Sequence, residues 1–359
     1  MPGLFLNFRL IFGGKRGKIK FPRKITKSVF RYKTMKILVT GGAGFIGSDF
    51  IRYWLEKNPQ DQIVNLDLLT YAGDLENLRE VKNNPNYKFV KGDICNAKLV
   101  NKLVKGINLI VHFAAETHVD RSIANSADFI RTNVVGTHTL LEAAKNNGNI
   151  RFHHISTDEV FGHLGLSDSA FNENTPYNPR SPYSASKAAA DHLVRAYFHT
   201  YNLPVTISNC SNNYGPYQYP EKMIPTAITD ILQGKIIPIY GRGENIRDWI
   251  HVRDHNRGVE MIIKNGRPGE TYCLGGNGEM TNLTLAKKIL ELMGESKDKI
   301  EFVADRPGHD QRYAIDSAKA QKQLGWKKEI DFEIGLKETI AWYKNNREWW
   351  LKKLKNNNK

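Results

Sequence analysis

Tyr183 and Lys187 stand four positions apart in SPYSASKAAADHLVRAYF, a segment whose apolar spacing predicts a helix over 183–201. Residues four apart lie on one helix face, so the phenol and the ammonium group are about one turn from each other. A free tyrosine has a pKa near ~10, and a neighbouring ammonium favours its phenolate form. The pair therefore predicts a tyrosine that removes a proton from a hydroxyl group with the help of Lys187.

A second group of reactive side chains, Ser156-Thr157-Asp158-Glu159, follows a predicted strand over 151–157. Parallel sheets present their ligands at the carboxyl ends of their strands. Two adjacent carboxylates there can divide general acid and general base catalysis if their environments separate their pKa values. The alternative is a solvated turn in which Asp158 caps a helix. Because these residues are expected beside Tyr183, we favour the catalytic interpretation.

A glycine-rich segment, KILVTGGAGFIGSDFIRYWL, has the order strand, turn and helix. Its glycines, Gly41, Gly44 and Gly47, permit a tight turn and close approach of the backbone to a pyrophosphate at the helix N-terminus. Asp67 ends the next apolar strand 20 residues after Gly47. A carboxylate there accepts the ribose hydroxyls and repels a 2′-phosphate, which favours NAD over NADP. A purely structural turn, with Asp67 capping a helix, is the alternative.

The elements that must position these residues alternate between apolar strands and amphipathic helices. Strands are predicted over 36–40, 62–67, 87–93, 108–115, 151–157 and 204–210, and helices over 45–57, 126–147, 183–201 and 336–350. Alternation of this kind predicts an α/β fold, with a doubly wound parallel Rossmann sheet and a smaller C-terminal α/β substrate lobe. We predict an NAD-binding domain over 35–210, a mainly substrate-binding lobe over 211–346 with segments returning to the first domain, and a polar tail over 347–359.

The net charge of +15 is concentrated at the N-terminus. Residues 1–34 contain ten Lys and Arg and no Asp or Glu, and the other 42 basic residues exceed the 37 acidic residues by only five. The rest of the chain therefore has an ordinary enzyme surface, and we predict no nucleic-acid partner. Residues 1–34 are predicted to be a disordered basic extension or an upstream-start artefact. A targeting segment and a basic arm for anionic surfaces are the alternatives.

Composition excludes several other classes of protein. No apolar run approaches the ~18 residues of a membrane span, so we predict no membrane association. Three scattered cysteines, Cys95, Cys210 and Cys273, are too few for a disulfide framework, and a cytoplasmic location follows. We predict no metal site. Two histidine pairs are predicted to be strand residues: His112 with His118, and His153 with His154.

The ordered motifs resemble the dTDP-glucose 4,6-dehydratases, a branch of the extended short-chain dehydrogenase/reductase family, over roughly residues 35–345. The motifs are TGGAGFIGS, LTYAGDLENL, FAAETHVDRSI, STDEVFG, SPYSASKAAADHLV, SNNYGPYQYPEKMIP, GRGENIRDWIHVRDH and RPGHDQRYAID. Phe161, Gly278 and Gln311 differ from residues that are frequent in this family.

The resemblance implies a redox-neutral lyase with bound NAD. Tyr183 would remove the proton of the glucose 4-hydroxyl while hydride leaves C4, and Thr157 would align that hydroxyl. Glu159 would then take the C5 proton, and Asp158 would protonate the departing 6-hydroxyl. Return of hydride to C6 gives the 4-keto-6-deoxy sugar. The residues expected to contact NAD are Gly41, Gly44, Phe45, Ile46, Gly47, Asp67, Asp93, Ile94, Ala114, Ala115, Tyr183 and Lys187.

The resemblance also implies residues for the sugar nucleotide, since Arg and Lys suit its diphosphate. The expected substrate contacts are Thr117, His118, Asn212, Lys222, Pro238, Tyr240, Arg247, Arg306 and His309, with Pro238 and Tyr240 flanking the thymine. The alternative function is a 4-epimerase, or a 4,6-dehydratase acting on a UDP, CDP or GDP sugar. A homodimer is expected, because the helices over 126–147 and 183–201 resemble those that pair subunits in this family.

Overall fold

The computed structural model describes residues 34–305 and 308–357. Nearly all of the predicted basic extension, residues 1–33, lies outside the described residues, and so does the candidate substrate ligand Arg306.

The elements are numbered along the chain. The strands are β1 (Lys36–Thr40), β2 (Gln62–Asp67), β3 (Tyr87–Lys91), β4 (Leu109–His112), β5 (Arg151–Thr157), β6 (Val205–Cys210), β7 (Asn212–Tyr214), β8 (Ile237–Tyr240), β9 (Ile246–Arg247), β10 (Trp249–His251), β11 (Thr271–Leu274), β12 (Met280–Thr281) and β13 (Ile300–Val303). The helices are α1 (Phe45–Lys57), α2 (Ala97–Leu103), α3 (Val119–Ala124), α4 (Ala127–Phe129), α5 (Thr137–Asn146), α6 (Pro182–Tyr201), α7 (Met223–Leu232), α8 (Val252–Asn265), α9 (Asn282–Met293), α10 (Ala318–Leu324), α11 (Phe332–Asn345) and α12 (Arg347–Asn357). Two 3₁₀ segments, Leu75–Leu78 and Asp158–Phe161, and a π-helical segment, Ile130–Gly136, complete the set.

Seven parallel strands form the central sheet in the order β3-β2-β1-β4-β5-β6-β11. One apolar layer packs α1 and α8 against one face of the sheet, and another packs α2, α5 and α6 against the other. This arrangement confirms the predicted doubly wound fold. The strand order reverses between β1 and β4, which is where open α/β sheets bind their ligands.

The helix α6 begins at Pro182 because its N-terminus carries strong start signals. Ser181 and Ser184 form a reciprocal capping box, and Pro182 occupies the first turn, where its missing N–H costs nothing. Asn202 ends the helix in the left-handed conformation. The face toward the sheet buries Tyr183 and Lys187, as the spacing of these residues predicted.

The helical stretch predicted over 126–147 contains a π-helical segment, Ile130–Gly136, between α4 and α5. A Cβ at Gly136 would lie 2.4 Å from Cδ1 of Ile94, so this segment packs tightly against the chain after β3. π-helical turns occur frequently at functional sites. This one places Asn133 in the interior, beside the start of α6.

The prediction of a polar tail over 347–359 is wrong for Arg347–Asn357, which form α12. Trp350 is fully buried in a cluster with residues of α7, α9 and α11, and its Nε1 donates to the carbonyl oxygen of Tyr343 at 2.9 Å. Trp349, Leu351 and Leu354 pack against the same cluster. The apolar side chains form one buried face of the helix. The high Lys and Asn content of the segment led to the prediction of a polar tail.

The remaining strands pair in twos beside the carboxyl edge of the main sheet: β7 with β10, β8 with β13, and β9 with β12. After β10 the chain returns to the main sheet: α8 packs against α1, and β11 extends the sheet next to β6. None of the helices that the structure describes is both long and apolar enough to span a bilayer.

Candidate active site

The glycine turn between β1 and α1 forms the first part of the site. Gly41 has a φ of +71°, and a Cβ there would lie 2.5 Å from the backbone nitrogen of Ala114, which follows β4. A Cβ at Gly47 would lie 2.4 Å from the carbonyl oxygen of Gly41. A Cβ at Gly44 would lie 3.3 Å from the same carbonyl oxygen, which is also a tight contact. The turn and the N-terminus of α1 therefore fit a pyrophosphate.

Asp67 ends β2 beside this turn. Its Oδ2 accepts a hydrogen bond from the backbone N–H of Ala43 at 2.9 Å, and its Oδ1 accepts one from Leu69 at 2.8 Å. Burial raises the pKa of Asp67, and these two donors oppose that rise. A carboxylate can accept about four hydrogen bonds, so two remain for ribose hydroxyls. Asp67 therefore fits the adenosine ribose of NAD.

Asp93 and Ile94, the two candidate NAD contacts after β3, lie in different surroundings. Asp93 accepts a hydrogen bond from the N–H of Cys95 at 2.8 Å and pairs with Arg131, and these contacts lower the pKa of Asp93 although burial opposes them. The side chain of Ile94 is buried in the apolar layer beneath the π-helical segment. Ala115 follows Ala114 at the end of β4, opposite the glycine turn.

The catalytic candidates meet where β5 ends. Thr157 is the last residue of this strand, and its Oγ1 donates to Oδ1 of Asp158 at 3.2 Å and accepts from the N–H of Glu159 at 3.3 Å. The hydroxyl of Thr157 also lies close enough to the phenol of Tyr183, on α6, to lower its pKa. The structure therefore brings these four side chains together.

The two adjacent carboxyl groups have different surroundings. Asp158 is 2% exposed, and within the described part of the chain its Oδ2 has no hydrogen-bond partner. Burial, together with the negative charges of Glu159 and Asp248, raises the pKa of Asp158 well above its usual value. Glu159 is only partly buried. Asp158 is thus suited to hold a proton at neutral pH, as a general acid must.

The surroundings of Tyr183 differ from the sequence-based expectation. Burial and the nearby charge of Glu159 raise the pKa of Tyr183 well above 10, whereas a base needs a lowered value. The hydroxyl of Thr157 opposes this rise. The sequence predicted that Glu159 lies beside Tyr183, but it could not show that burial and this negative charge together raise the pKa of the phenol.

Lys187 lies one turn further along α6 and is 4% exposed. Its Nζ donates to the carbonyl oxygen of Ile155 at 2.7 Å and lies 3.4 Å from Nε2 of His154. Burial lowers the pKa of Lys187 to about 8, and the charge of Asp191 opposes that fall. Lys187 therefore loses its proton closer to neutral pH than an exposed lysine does.

Arg247 is a candidate phosphate ligand that acts electrostatically on the acid pair. Its guanidinium donates to the carbonyl oxygens of Ile246 at 2.7 Å and Asp310 at 2.9 Å, and it stacks 4.5 Å above the ring of Tyr313. The positive charge of Arg247 lowers the pKa of Asp158, which places the two groups within electrostatic reach. The backbone N–H of Asn212, on β7, donates to the carbonyl oxygen of Asp248 at 3.0 Å.

Thr117 and Lys222 meet at a junction between the two parts of the chain. Nζ of Lys222 donates to the carbonyl oxygen of Thr117 at 3.3 Å. His118 caps α3, because its Nδ1 accepts from the N–H of Arg121 at 3.4 Å, and its Nε2 lies 3.8 Å from Glu221. The prediction of His118 as a strand residue is therefore wrong. The other three histidines lie on strands as predicted: His112 on β4, and His153 and His154 on β5.

Pro238 and Tyr240 point outward from the same side of β8. The ring of His309 lies edge-on to Tyr240, with 6.2 Å between centroids, and its Nδ1 is 2.7 Å from a carboxylate oxygen of Asp305. Arg247 holds this segment through its bond to Asp310, the residue after His309.

Sequence reasoning missed two residues that shape the site. The side chain of Asn133 accepts from the N–H of Glu116 at 2.9 Å and donates to Oγ of Ser186 at 2.8 Å, so it joins the chain after β4 to α6. Asp248 accepts backbone hydrogen bonds from Gly276 and Gly278 and contributes to the raised pKa of Asp158. A polar residue on the buried face of an amphipathic helix was the available signal for Asn133. No local pattern marked Asp248.

Comparisons with known proteins show similarity in sequence and fold over most of the chain. The family described as GDP-mannose 4,6 dehydratase matches residues 38–339. The dTDP-glucose 4,6-dehydratase of Escherichia coli is 50% identical, with 88% of this chain and 95% of that protein covered. The one from Mycobacterium tuberculosis (strain CDC 1551 / Oshkosh) is 52% identical, with the same coverage of each chain.

A crystal structure of a double mutant of the dTDP-glucose 4,6-dehydratase from Streptomyces venezuelae, solved with NAD bound, superposes with a TM-score of 0.87. It is 46% identical to this chain, and the match covers 89% of this chain and all of that one. Both the sequence and the fold thus agree over nearly the whole described chain. The chain belongs to the dTDP-glucose 4,6-dehydratases, a branch of the extended short-chain dehydrogenase/reductase family.

Proposed function

We propose that this chain dehydrates dTDP-glucose to dTDP-4-keto-6-deoxyglucose with NAD as its resident cofactor. The observation that carries the proposal is the pair of carboxyl groups beside Tyr183. A buried Asp158 whose pKa is raised adjoins a partly buried Glu159. A 4-epimerase has no use for such a pair, because it removes no water.

The first step uses Tyr183 as the base for the sugar 4-hydroxyl. The hydroxyl of Thr157 lies close enough to Tyr183 to influence its pKa, and we assign it to align the sugar hydroxyl for proton transfer. NAD, when bound, supplies a positive charge that favours the phenolate, an acceptor for the hydrogen of C4 and a donor for C6. Lys187, one turn further along α6, is the residue of the chain that we assign to stabilise the phenolate.

The elimination uses the two carboxyl groups. Oxidation at C4 makes the C5 proton acidic, because that carbon then lies next to a ketone. Glu159 takes this proton as the C5–C6 double bond forms. Asp158 gives its proton to the 6-oxygen as the C6–O bond breaks, so the oxygen leaves as water. The protonated Glu159 is then placed to return a proton to C5.

We assign residues of the chain to each part of NAD and of the sugar nucleotide. For NAD, the glycine turn would hold the pyrophosphate and Asp67 would hold the adenosine ribose. For the sugar nucleotide, we assign the diphosphate and the base to the second lobe: Asn212, Lys222, Pro238, Tyr240, Arg247, Arg306 and His309. Thr117 and His118 are assigned to the sugar pocket. We further propose that the enzyme is a cytoplasmic homodimer.

Parallel assays of dTDP-glucose, UDP-glucose, CDP-glucose and GDP-mannose test the proposed function. The 4-keto-6-deoxy product is recognised by its absorbance in alkali, and the NAD content of the purified protein is measured after denaturation. We expect turnover with dTDP-glucose far above the other three and about one NAD per site. Formation of a 4-epimer, or preference for another nucleotide, would contradict the proposal.

A further inference from the structure

A buried network lies behind Lys187 on the side away from Tyr183. Asp191, one turn further along α6, is fully buried. Its Oδ1 lies 3.2 Å from Nε2 of His154, the same nitrogen that lies 3.4 Å from Nζ of Lys187. Its Oδ2 accepts from Oγ of Ser156 at 2.8 Å and from the hydroxyl of Tyr177 at 2.7 Å. The carboxylate is therefore held in one position by three side chains.

These contacts keep Asp191 ionised inside the protein. Burial alone would raise its pKa, but the hydrogen bond of His154, the charge of Lys187 and the hydrogen bond of Tyr177 lower it overall. Arg195, on the same helix, donates to the hydroxyl of Tyr177 at 2.7 Å, so this hydroxyl is free to donate toward Asp191.

The other titratable groups around Lys187 carry little charge at neutral pH. His112 on β4 and His154 on β5 are buried, and their pKa values are lowered, that of His154 to about 4. Cys210 on β6 is buried as well, and its pKa is raised to about 12. Asp191 is thus the ionised acid that acts on the ammonium group of Lys187.

We propose that Asp191 is a positioning residue that acts through Lys187, as the buried counter-ion that keeps this lysine charged and thereby favours the Tyr183 phenolate. The proposal rests on the proposed function, because it concerns the base of the first step. Asp191, Lys187 and Tyr183 are spaced four residues apart along one face of α6, so Lys187 lies between the carboxylate and the phenol. Without the carboxylate, burial is left unopposed and Lys187 loses its proton at a lower pH.

The test is the pH profile of kcat for Asp191→Asn with dTDP-glucose. The neutral lysine stabilises the phenolate less, so we expect the acidic limb to move to higher pH by about one unit and the rate below that limb to fall about tenfold. Asp191→Glu keeps the charge and should restore the limb. Tyr177→Phe removes one hydrogen bond from the same carboxylate but leaves its charge, so it should leave the limb in place.

A double variant separates this role from a merely structural one. In the Lys187→Met background, Asp191→Asn should move the limb no further, since the group through which it acts is absent. An unshifted limb in folded, NAD-containing Asp191→Asn protein would overturn the inference, and so would an equal shift in the Lys187→Met background. If Asp191→Asn does not fold, Asp191→Ser gives the same test with space for water. Lack of turnover by the unmodified protein would instead contradict the proposed function.

Discussion

Two neighbouring carboxyl groups at the end of β5 are suited to opposite proton-transfer roles because only one is deeply buried. Asp158 has a raised pKa from burial and from the charges of Glu159 and Asp248, whereas Glu159 is partly exposed. The sequence predicted the pair from its place after a strand. It could not reveal the raised pKa, because Asp248 is 90 residues away along the chain.

Replacing the base should separate oxidation from elimination. The carboxamide of Glu159→Gln cannot take the C5 proton, so kcat should fall ~10²–10⁴-fold while oxidation at C4 continues. Reduced nicotinamide should therefore accumulate when the variant and dTDP-glucose are mixed in comparable amounts, as seen by absorbance. Asp168→Asn, a change at an exposed carboxylate nearby, is the control and should behave as the unmodified enzyme. Water elimination at the normal rate by Glu159→Gln would show that the base is wrongly assigned.

Replacing the acid should matter only when the leaving group needs a proton. With dTDP-glucose, Asp158→Asn should lower kcat ~10²-fold or more, since proton donation by a positioned acid typically contributes that much. With the 6-deoxy-6-fluoro analogue, fluoride departs without full protonation, and the loss should be much smaller. The measurement is the ratio of kcat for the unmodified enzyme to kcat for Asp158→Asn, determined with each of the two substrates. Equal losses on both substrates would argue that Asp158 does not protonate the 6-oxygen.

At the scale of elements, α12 supports the cofactor site from a distance. Nε1 of Trp349 donates to Oδ1 of Asn77 at 3.0 Å, and Nδ2 of Asn77 donates to the carbonyl oxygen of Ala43 in the glycine turn at 2.8 Å. Lys353 pairs with Asp74 at 2.5 Å, and the N–H of Asp74 donates to the same carbonyl oxygen. The C-terminal helix thus fixes the segment that holds the turn.

This contact predicts weaker cofactor binding when its donor is removed. Trp349→Phe keeps an aromatic ring in the cluster but loses the N–H, and a lost hydrogen bond of about 1 kcal/mol corresponds to a several-fold effect. We expect a several-fold rise in the Kd for NAD, measured by calorimetry on protein stripped of cofactor. Trp342→Phe alters the same aromatic cluster without touching Asn77 and is the control. Unchanged NAD affinity in Trp349→Phe would show that α12 has no such role.

Elements with a strong local pattern were predicted well, and those that depend on distant partners were not. The strands β1, β2 and β5 and the helix α1 have the predicted bounds. Apolar runs mark these strands, and the glycine turn marks the start of α1. The predicted helix over 336–350 covers most of α11 and the start of α12, but the rest of α12 was missed. One partner that holds α12 in place, Asn77, is 272 residues from Trp349. The π-helical segment was missed because its apolar spacing resembles that of an ordinary helix.

At the scale of the whole molecule, the proposed dimer would cover apolar side chains that the single chain exposes. Ile130 and Val135, in the π-helical segment, are 48% and 47% exposed. They lie on the helical stretch that the sequence predicts as a subunit interface, next to α6. Burial of such side chains is the main favourable contribution to most protein association.

Charges placed on this surface should separate the subunits. The double variant Ile130→Glu/Val135→Glu would bury two carboxylates in the proposed interface, so we expect a monomer by light scattering after gel filtration. Leu166 is 65% exposed elsewhere, and Leu166→Glu is the control that should leave the mass unchanged. A dimer of unaltered stability in the double variant, or a monomeric unmodified protein, would contradict the proposed assembly.

Transfer of hydrogen within one sugar tests most directly whether Tyr183, the two carboxyl groups and the NAD site act on the same hexose. The measurement is mass spectrometry and NMR of the product made from dTDP-glucose carrying deuterium at C4. We predict that the deuterium is found at C6 of the 4-keto-6-deoxy sugar, with one solvent hydrogen at C5. Release of the deuterium to water, or its retention at C4 of an epimer, would contradict the account.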